Sequence, residues 1–498
     1  MEFPISFFLD QAWNPEAMPR ERMSGYTEVW AAQQFPAEHA GEIAQITELY
    51  TKYVSRRKHE LVDPKTFSVV NFDEFRRVTA ELEALAARAD AVRAKLPAEY
   101  DDAYVQLVWF PVLATTNLYQ LYEAAALNRL YTAQGRAMDA QAQANRVEAF
   151  FAHDAELTRV YHEDVADGKW VHMMSQTHIG YTYWQQPDNQ VMPAVERPGG
   201  SKKARLGVAV EGDRRGRRAG EKGAVLPASD VFAQQVRWID LFSTGAGPVT
   251  ARVEARQDWV EVAGGKRSVS GSERVEVRID WDKVPVGRHV GEIRVKTGFW
   301  NSVKIAVPVF KPEGWERVKG YPLASGFAAM DVAAASRKTD GAEARWSVIP
   351  NLGRTGDGVA LVPGAAPEFA AGAEDAPRLE FDLFVYEAKP LTVEVELAPT
   401  LDFKGQRGMK FALSLGGGEP VVVNVHERLT SADWDERHWE ATVAKNSHHH
   451  SVTFPDVAEG AQTLTLWAMD APLVFQRLVV SQEAVPESYL GPPVMAPR

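Results

Sequence analysis

Between Glu38 and Asp167 apolar residues recur at three- and four-residue steps, the spacing of one helical face. Phe72, Phe75, Val78, Leu82, Leu85, Ala86, Val92 and Leu96 follow this rule with charges between them, and Pro97 stops the run. An amphipathic helix is predicted there. A second helix is predicted from Ala98 through Tyr104, Leu107, Val108, Val112, Leu118, Leu121 and Leu127 to Leu130, with Gly135 just past its C-terminus and a kink at Pro111. It is apolar nearly all round, so it belongs in the middle of a bundle, packed by the helices Ile43–Tyr53, Phe72–Leu96 and Ala140–Asp164.

After Gly168 the helical period fails. The segment Trp170–Pro187 is dense in aromatic and amide side chains and reads as a packed, irregular loop. Pro198-Gly199-Gly200-Ser201 reads as a linker, and the glycine-flanked run Arg214–Arg218 as a solvated loop. From about Ala204 the period becomes two. Strands are predicted at 237–242, 249–254, 275–281, 291–296 and 303–307, forming a small all-β sandwich that ends near Lys311-Pro312-Glu313-Gly314. A second series at 378–384, 391–397, 410–415, 421–425, 462–467 and 473–480 predicts a second sandwich. The fold class expected is therefore multidomain α + β, a helical bundle followed by two β-sandwiches.

Composition narrows the function. The 498 residues exceed what one hydrophobic core organises, and 45% hydrophobic with 24% charged residues is ordinary globular usage. Lys+Arg 55 against Asp+Glu 67 gives a net charge of −12, which argues against a nucleic-acid partner. The absence of cysteine excludes disulfides, thiolate nucleophiles and cysteine-ligated metals. No stretch approaches the roughly 20 apolar residues of a membrane helix, and the acidic start at Glu2 is unlike a signal peptide, so a soluble chain without membrane contact is expected.

Candidate chemistry is sparse. A glycosidase needs two carboxyl groups at a set separation, which spacing alone does not locate among 67 acids; Glu163, Asp164 and Asp167, near the end of a helix, read as solvated. His172 and His178 lack the spacing that places two imidazoles on one helix face, so no metal site is expected. Their use is hydrogen bonding within the loop, whose polar groups have no ladder to satisfy them. A second use is sugar contact: Trp170, Tyr181, Tyr183 and Trp184 supply ring faces, while Gln176, His178 and Gln185 supply hydroxyl partners. Ser447-His448-His449-His450-Ser451 reads as a turn or edge strand, and Gly416-Gly417-Gly418 as a hairpin turn. Nothing calls for a cofactor.

The stretch Gln176–Pro187 with Val191-Met192-Pro193 closely resembles glycoside hydrolase family 115, the xylan α-1,2-glucuronidases. Met1-Glu2-Phe3-Pro4, Phe8-Leu9-Asp10 and Ala12-Trp13-Asn14-Pro15 resemble the family segment leaving the catalytic barrel, and Trp30–Phe35, Tyr50–Tyr53 and Arg56-Arg57-Lys58 its first helices. Ile349–Thr355, Pro399–Phe403, Val423–His426 and Ser488–Pro493 resemble its terminal β domain. Residues 197–312 show only a generic β pattern, and Tyr321–Ala335 departs from the family pattern.

The resemblance implies removal of glucuronic or 4-O-methylglucuronic acid from xylan with inversion, by acids on a TIM-type barrel. No position here matches those acids, so catalytic residues are expected to be absent and the chain to be the C-terminal half of a family enzyme. On that reading 1–20 is the remnant of the barrel's end, 21–197 the bundle with its aromatic loop, 198–312 an accessory sandwich and 313–498 a carbohydrate-binding-like sandwich. Xylan or glucuronoxylan and a second copy of the chain are the implied partners, and a periplasmic or secreted location is implied. The alternative is a stand-alone carbohydrate-binding or assembly protein. Phe3, Ile5, Phe7, Phe8 and Leu9 are expected to be exposed or re-packed where the barrel would have covered them.

Overall fold

The computed structural model describes residues 2–181, 185–201, 203–297, 302–402, 407–427 and 436–498. The chain forms two compact units. The first holds Met1–Val69, Asp73–Arg129 and Ala142–Glu196; the second holds Val70–Phe72, Leu130–Gln141 and Arg197–Arg498.

The first unit is helical. Its helices are α1 (Glu2–Trp13), α2 (Arg20–Met23), α3 (Tyr26–Gln34), α4 (Ala37–Ser55), α5 (Glu74–Arg93), α6 (Asp101–Tyr104), α7 (Phe110–Gln134) and α8 (Ala137–Arg159). The apolar steps of α5 bury Phe75, Val78, Leu82, Leu85, Ala89 and Val92, as one amphipathic face requires. In α7 the consecutive residues Leu121 to Ala126 are all buried. More than one full turn buried on every side places this helix at the bundle centre. Gly135 ends α7 with φ 76°, and the Arg136 amide reaches back to the Tyr131 carbonyl at 2.9 Å. The distortion expected at Pro111 takes the form of a π-turn, Val105–Trp109, just before it. Proline cannot donate to the carbonyl four residues back, and the wider turn relieves its ring of that contact.

The amphipathic logic of α1 is double. Phe3 and Phe7 pack on Tyr26 and Trp30 of α3, and the Tyr26 hydroxyl donates to Asp10 at 2.7 Å. Ile5, Phe8, Leu9 and Trp13 point away and stay exposed, Trp13 at 92%. The expectation of re-packing thus holds for Phe3 and Phe7, and that of exposure for Ile5, Phe8 and Leu9.

The second unit contains two sandwiches. In the first, one sheet runs Arg217–Arg218, Leu206–Val210, Arg237–Ser243, Ser272–Ile279, Val260–Val262; the other runs Ala224–Val225, Ser302–Lys311, Gly287–Lys296, Val249–Ala255, Gly265–Val269. Alternate residues such as Val208, Ile239, Leu241, Ile293, Val295 and Ile305 meet in one core. The basic run supplies the short strand Arg217–Arg218, and Asp213 takes Arg217 at 2.5 Å. Leu130–Gln141 is locked to this sandwich by charge: Arg136 holds Asp139 at 2.8 Å and Asp240 at 3.1 Å, and Arg274 holds Asp240 at 2.9 Å.

In the second sandwich one sheet runs Tyr321–Pro322, Arg378–Val385, Gly460–Ala468, Lys410–Leu415, Val421–Asn424, and the other Arg345–Ile349, Gly358–Val362, Phe475–Ser481, Leu391–Leu397, His448–Phe454. Leu379, Phe381 and Leu383 of one sheet meet Val393, Val395 and Leu478 of the other in its core. The three-histidine tract is an edge strand. Its period-two alternation sends His448 and His450 inward beside His426 and Phe411, and His449 outward to Glu394 at 3.0 Å.

On the outward face of that sheet, buried Arg354 donates to buried Glu396 at 2.5 Å and lies over Tyr489 at 5.2 Å. Neighbouring Arg477 donates to the Leu490 carbonyl. Segments distant in sequence, 349–355 and 488–491, are thereby fastened to the strands between them.

Candidate functional site

The candidate site lies in the first unit, where α8 ends. The π-turn Val160–Asp164 follows α8, and then Ala166, Asp167 and Gly168 all take left-handed backbone, φ 49°, 54° and 80°. Such backbone is costly for non-glycine residues and needs surroundings that over-determine it. Those surroundings are a small apolar cluster of Val105, Phe110, Leu157, Tyr161 and Val165, on which Trp170 and Met174 pack. Both π-turns of the bundle contribute to this one cluster.

Beyond it the loop closes on polar groups. Gly180 (φ 98°) approaches Val191 so closely that an added Cβ would lie 2.6 Å from the valine Cβ. Only glycine meets both demands. The Ile179 carbonyl accepts from the Val191 amide at 3.0 Å, and the Gly180 amide donates to the Tyr122 hydroxyl at 3.3 Å. Gln190 is the centre of the arrangement: its Oε1 accepts from the backbone amides of His178 (3.1 Å) and Ile179 (2.7 Å).

His178 Nε2 lies 2.8 Å from Asp154 Oδ1, and its Nδ1 lies 3.1 Å from the Gln176 carbonyl and 3.0 Å from Gln190 Nε2. A neutral ring with its proton on Nε2 accepts from Gln190, whereas the imidazolium donates to Asp154 and Gln176 together. Burial alone would lower the His178 pKa, but the hydrogen bond and charge of Asp154 outweigh it and hold the group above the ordinary 6.5. His59, which feels the His178 charge, shifts the other way because burial dominates there, and among the described residues its enclosed Nε2 has no hydrogen-bond partner. A raised folded pKa means that the His178–Asp154 contribution to stability is full below about pH 6.5 and lost as pH rises through the higher folded value. Asp154→Asn is therefore expected to bring the His178 titration below 6.5, followed by NMR of its ring protons. An unchanged titration would mean that Asp154 does not hold the proton.

The residues read from sequence divide. Gln176, His178 and Tyr181 come together, with Gln176 Nε2 donating to the Tyr181 hydroxyl at 3.2 Å. Gln185 is exposed. Trp170 is half-buried on the apolar cluster, with Lys169 Nζ 4.8 Å from its ring centre, so its packing is that of a wedge. Tyr183 and Trp184 lie outside the described residues. Asp154 and Gln190 were not singled out from sequence. Asp154 had a signal: Val147, Phe150, Leu157 and Tyr161 share one helical stripe, and an acid at 154 interrupts it. Gln190 had none.

The acids near the loop are tied to Arg159, which reaches Glu156 and Asp164 at 2.8 Å and Glu163 at 3.6 Å. Its hydrogen bonds hold Glu156 and Asp164 below the usual carboxylate range, opposite to what a general acid requires. Burial pushes Glu123 on α7 up, but that side chain is enclosed in the bundle, beyond the reach of a substrate. Among the described residues no three His, Asp or Glu side chains converge to hold a metal ion, and no helix is long and apolar enough to cross a membrane.

Comparison with known proteins follows the same division of the chain. Residues 1–61 match the model of glycosyl hydrolase family 115, and residues 320–494 match that of the glycosyl hydrolase family 115 C-terminal domain. No curated protein sequence matches. Among solved structures the chain is similar to BtGH115A, described as a family GH115 4-O-methyl-alpha-glucuronidase with specificity for decorated arabinogalactans, at 14% identity and TM-score 0.53. The match covers 97% of this chain and 44% of that one, so the chain spans less than half the length of the glucuronidase. The C-terminal CBM6 of LamC from Zobellia galactanivorans matches at 13% identity and TM-score 0.21, covering 31% of this chain and 98% of that one, too low a score to carry an argument. Two models of one family, glycoside hydrolase family 115, thus match this chain, one at each end, and a glucuronidase described as a member of that family shares its fold over nearly the whole length of the chain.

Proposed function

We propose that these residues form the non-catalytic portion of an α-glucuronidase that removes glucuronic or 4-O-methylglucuronic acid from xylan. The observation that carries this reading is the uncovered face of α1. Ile5, Phe8, Leu9 and Trp13 present an apolar stripe within the stretch that matches the family model, and such a face needs a partner. A catalytic domain docked there would supply the carboxylic acid that protonates the leaving xylose oxygen and the carboxylate that activates water. The bundle then braces that domain, a second copy of the chain adds further contact, and the β-sandwiches hold polysaccharide.

The decisive measurement is release of 4-O-methylglucuronic acid from glucuronoxylan. The folded chain alone is expected to release none above the blank, and release is expected when the family's catalytic domain is supplied with it. Release by the chain alone would place the catalytic acids within these residues and overturn the proposal.

A further inference from the structure

A cleft of about 450 Å³ opens on the second sandwich between the turn Glu313–Lys319 and the paired strands Arg378–Val385 and Gly460–Ala468. Its volume falls within the range of small-ligand sites. Strand register builds the floor: Phe384 stands opposite Ala461 and Asp382 opposite Thr463, on the side away from the core because Leu383 and Leu464 face inward. The wall is held as firmly. Gly320 (φ 76°) lies so close to the strand that an added Cβ would sit 2.1 Å from the Asp382 carbonyl oxygen, and it exchanges two backbone hydrogen bonds with Arg498, both 3.0 Å.

The cleft carries two cations side by side. Several cations elsewhere on the sandwich are paired: Arg337 with Asp382 at 2.8 Å, Arg407 with Asp470 at 2.6 Å, Lys389 with Glu387. Arg317 and Lys319 both line the cleft, and among the described residues neither side chain has an ion-pair or hydrogen-bond partner. Asp382, the nearest acid on the floor, is already engaged by Arg337. This leaves two cations without a counter-charge beside groups suited to hydroxyls, the Thr463 hydroxyl and the Glu313 carboxylate. The Phe384 ring offers an apolar surface for a sugar face.

From this arrangement we infer that the cleft binds a uronic-acid-bearing oligosaccharide, its carboxylate taken by Arg317 and Lys319 and its hydroxyls by Thr463 and Glu313. The inference rests on the reading of this chain as part of a glucuronidase and deepens it: the sandwich would hold the same decorated chain from which the acid is cut. A neutral glycan would leave both cations without a counter-charge.

Titration calorimetry on the full chain tests it, with a xylo-oligosaccharide carrying one 4-O-methylglucuronic acid, the same oligosaccharide without it, and a galacturonic acid oligomer. The acidic xylo-oligosaccharide is expected to bind about tenfold more tightly than the neutral one, an advantage that shrinks as salt is raised. The double variant R317A/K319A, at two exposed positions, is expected to lose about tenfold in affinity for the acid with its unfolding unchanged. Equal binding of acidic and neutral oligosaccharides, or binding of neither uronate, would overturn the inference. So would acid binding that survives in R317A/K319A, which places the site elsewhere. Binding of the galacturonic acid oligomer alone, lost in the variant, keeps the cleft as a uronate site and overturns only the xylan reading.

Discussion

Glu396→Ala is expected to destabilise the second sandwich by about 3–5 kcal/mol, the cost of leaving a buried charge without its partner. Arg354 is 1% exposed and Glu396 7%, and the arginine Nε donates to that carboxylate at 2.5 Å. Burial would raise the Glu396 pKa; the adjacent Arg354 charge overrides it and keeps the carboxylate ionised. Removing the carboxylate strands a guanidinium that the sheet and Tyr489 enclose. Urea unfolding followed by near-UV circular dichroism should show the loss, and protease cleavage near Ser488 should accelerate as Tyr489 and Leu490 lose their anchor. The double variant E396L/R354M is expected to recover much of the stability, because an apolar pair of similar volume needs no counter-charge. Arg337, half exposed where it meets Glu380 and Asp382, is the contrast: Arg337→Ala should cost no more than about 1 kcal/mol. Equal effects at 396 and 337 would show that burial is not what makes the first pair matter.

Self-association through α1 is the second large effect expected. Full burial of one such side chain contributes about 1.5–3 kcal/mol, so covering Ile5, Phe8 and Leu9 together favours association by about a hundredfold or more. The chain alone should therefore form concentration-dependent oligomers and bind a hydrophobic dye. The variant I5Q/F8Q/L9Q should be monomeric and dye-silent by sedimentation and fluorescence, with its helix content intact because Phe3 and Phe7 still hold α1 to Tyr26 and Trp30. A chain that stays monomeric and binds no dye at high concentration would remove the evidence that this face seeks a partner. Loss of catalytic-domain binding in the same variant would identify that partner.

Much of the architecture was legible from chain pattern alone. The three- and four-residue steps of α5, the all-round apolar α7 and the period-two runs of both sandwiches report local geometry, because a helix brings together residues three and four apart and a strand those two apart. The glycine after α7 and the edge position of the histidine tract were legible for the same reason. The loop at 170–187 was found, and within it Gln176, His178 and Tyr181, but not what they meet. Asp154 arrives from α8 and Gln190 from beyond the loop, and no local spacing encodes that meeting. Trp170 offered the same residue type to a sugar or to a core; only the adjacent π-turns decided for packing. Tertiary structure likewise decided that Leu130–Gln141 belongs to the second unit, through Arg136 and Asp240, and that Arg354, Glu396 and Tyr489 converge. The physical division is between short-range periodicity, which the order of residues along the chain determines by itself, and the pairing of buried charges and turns distant in sequence, which exists only once register and chain crossings bring them together.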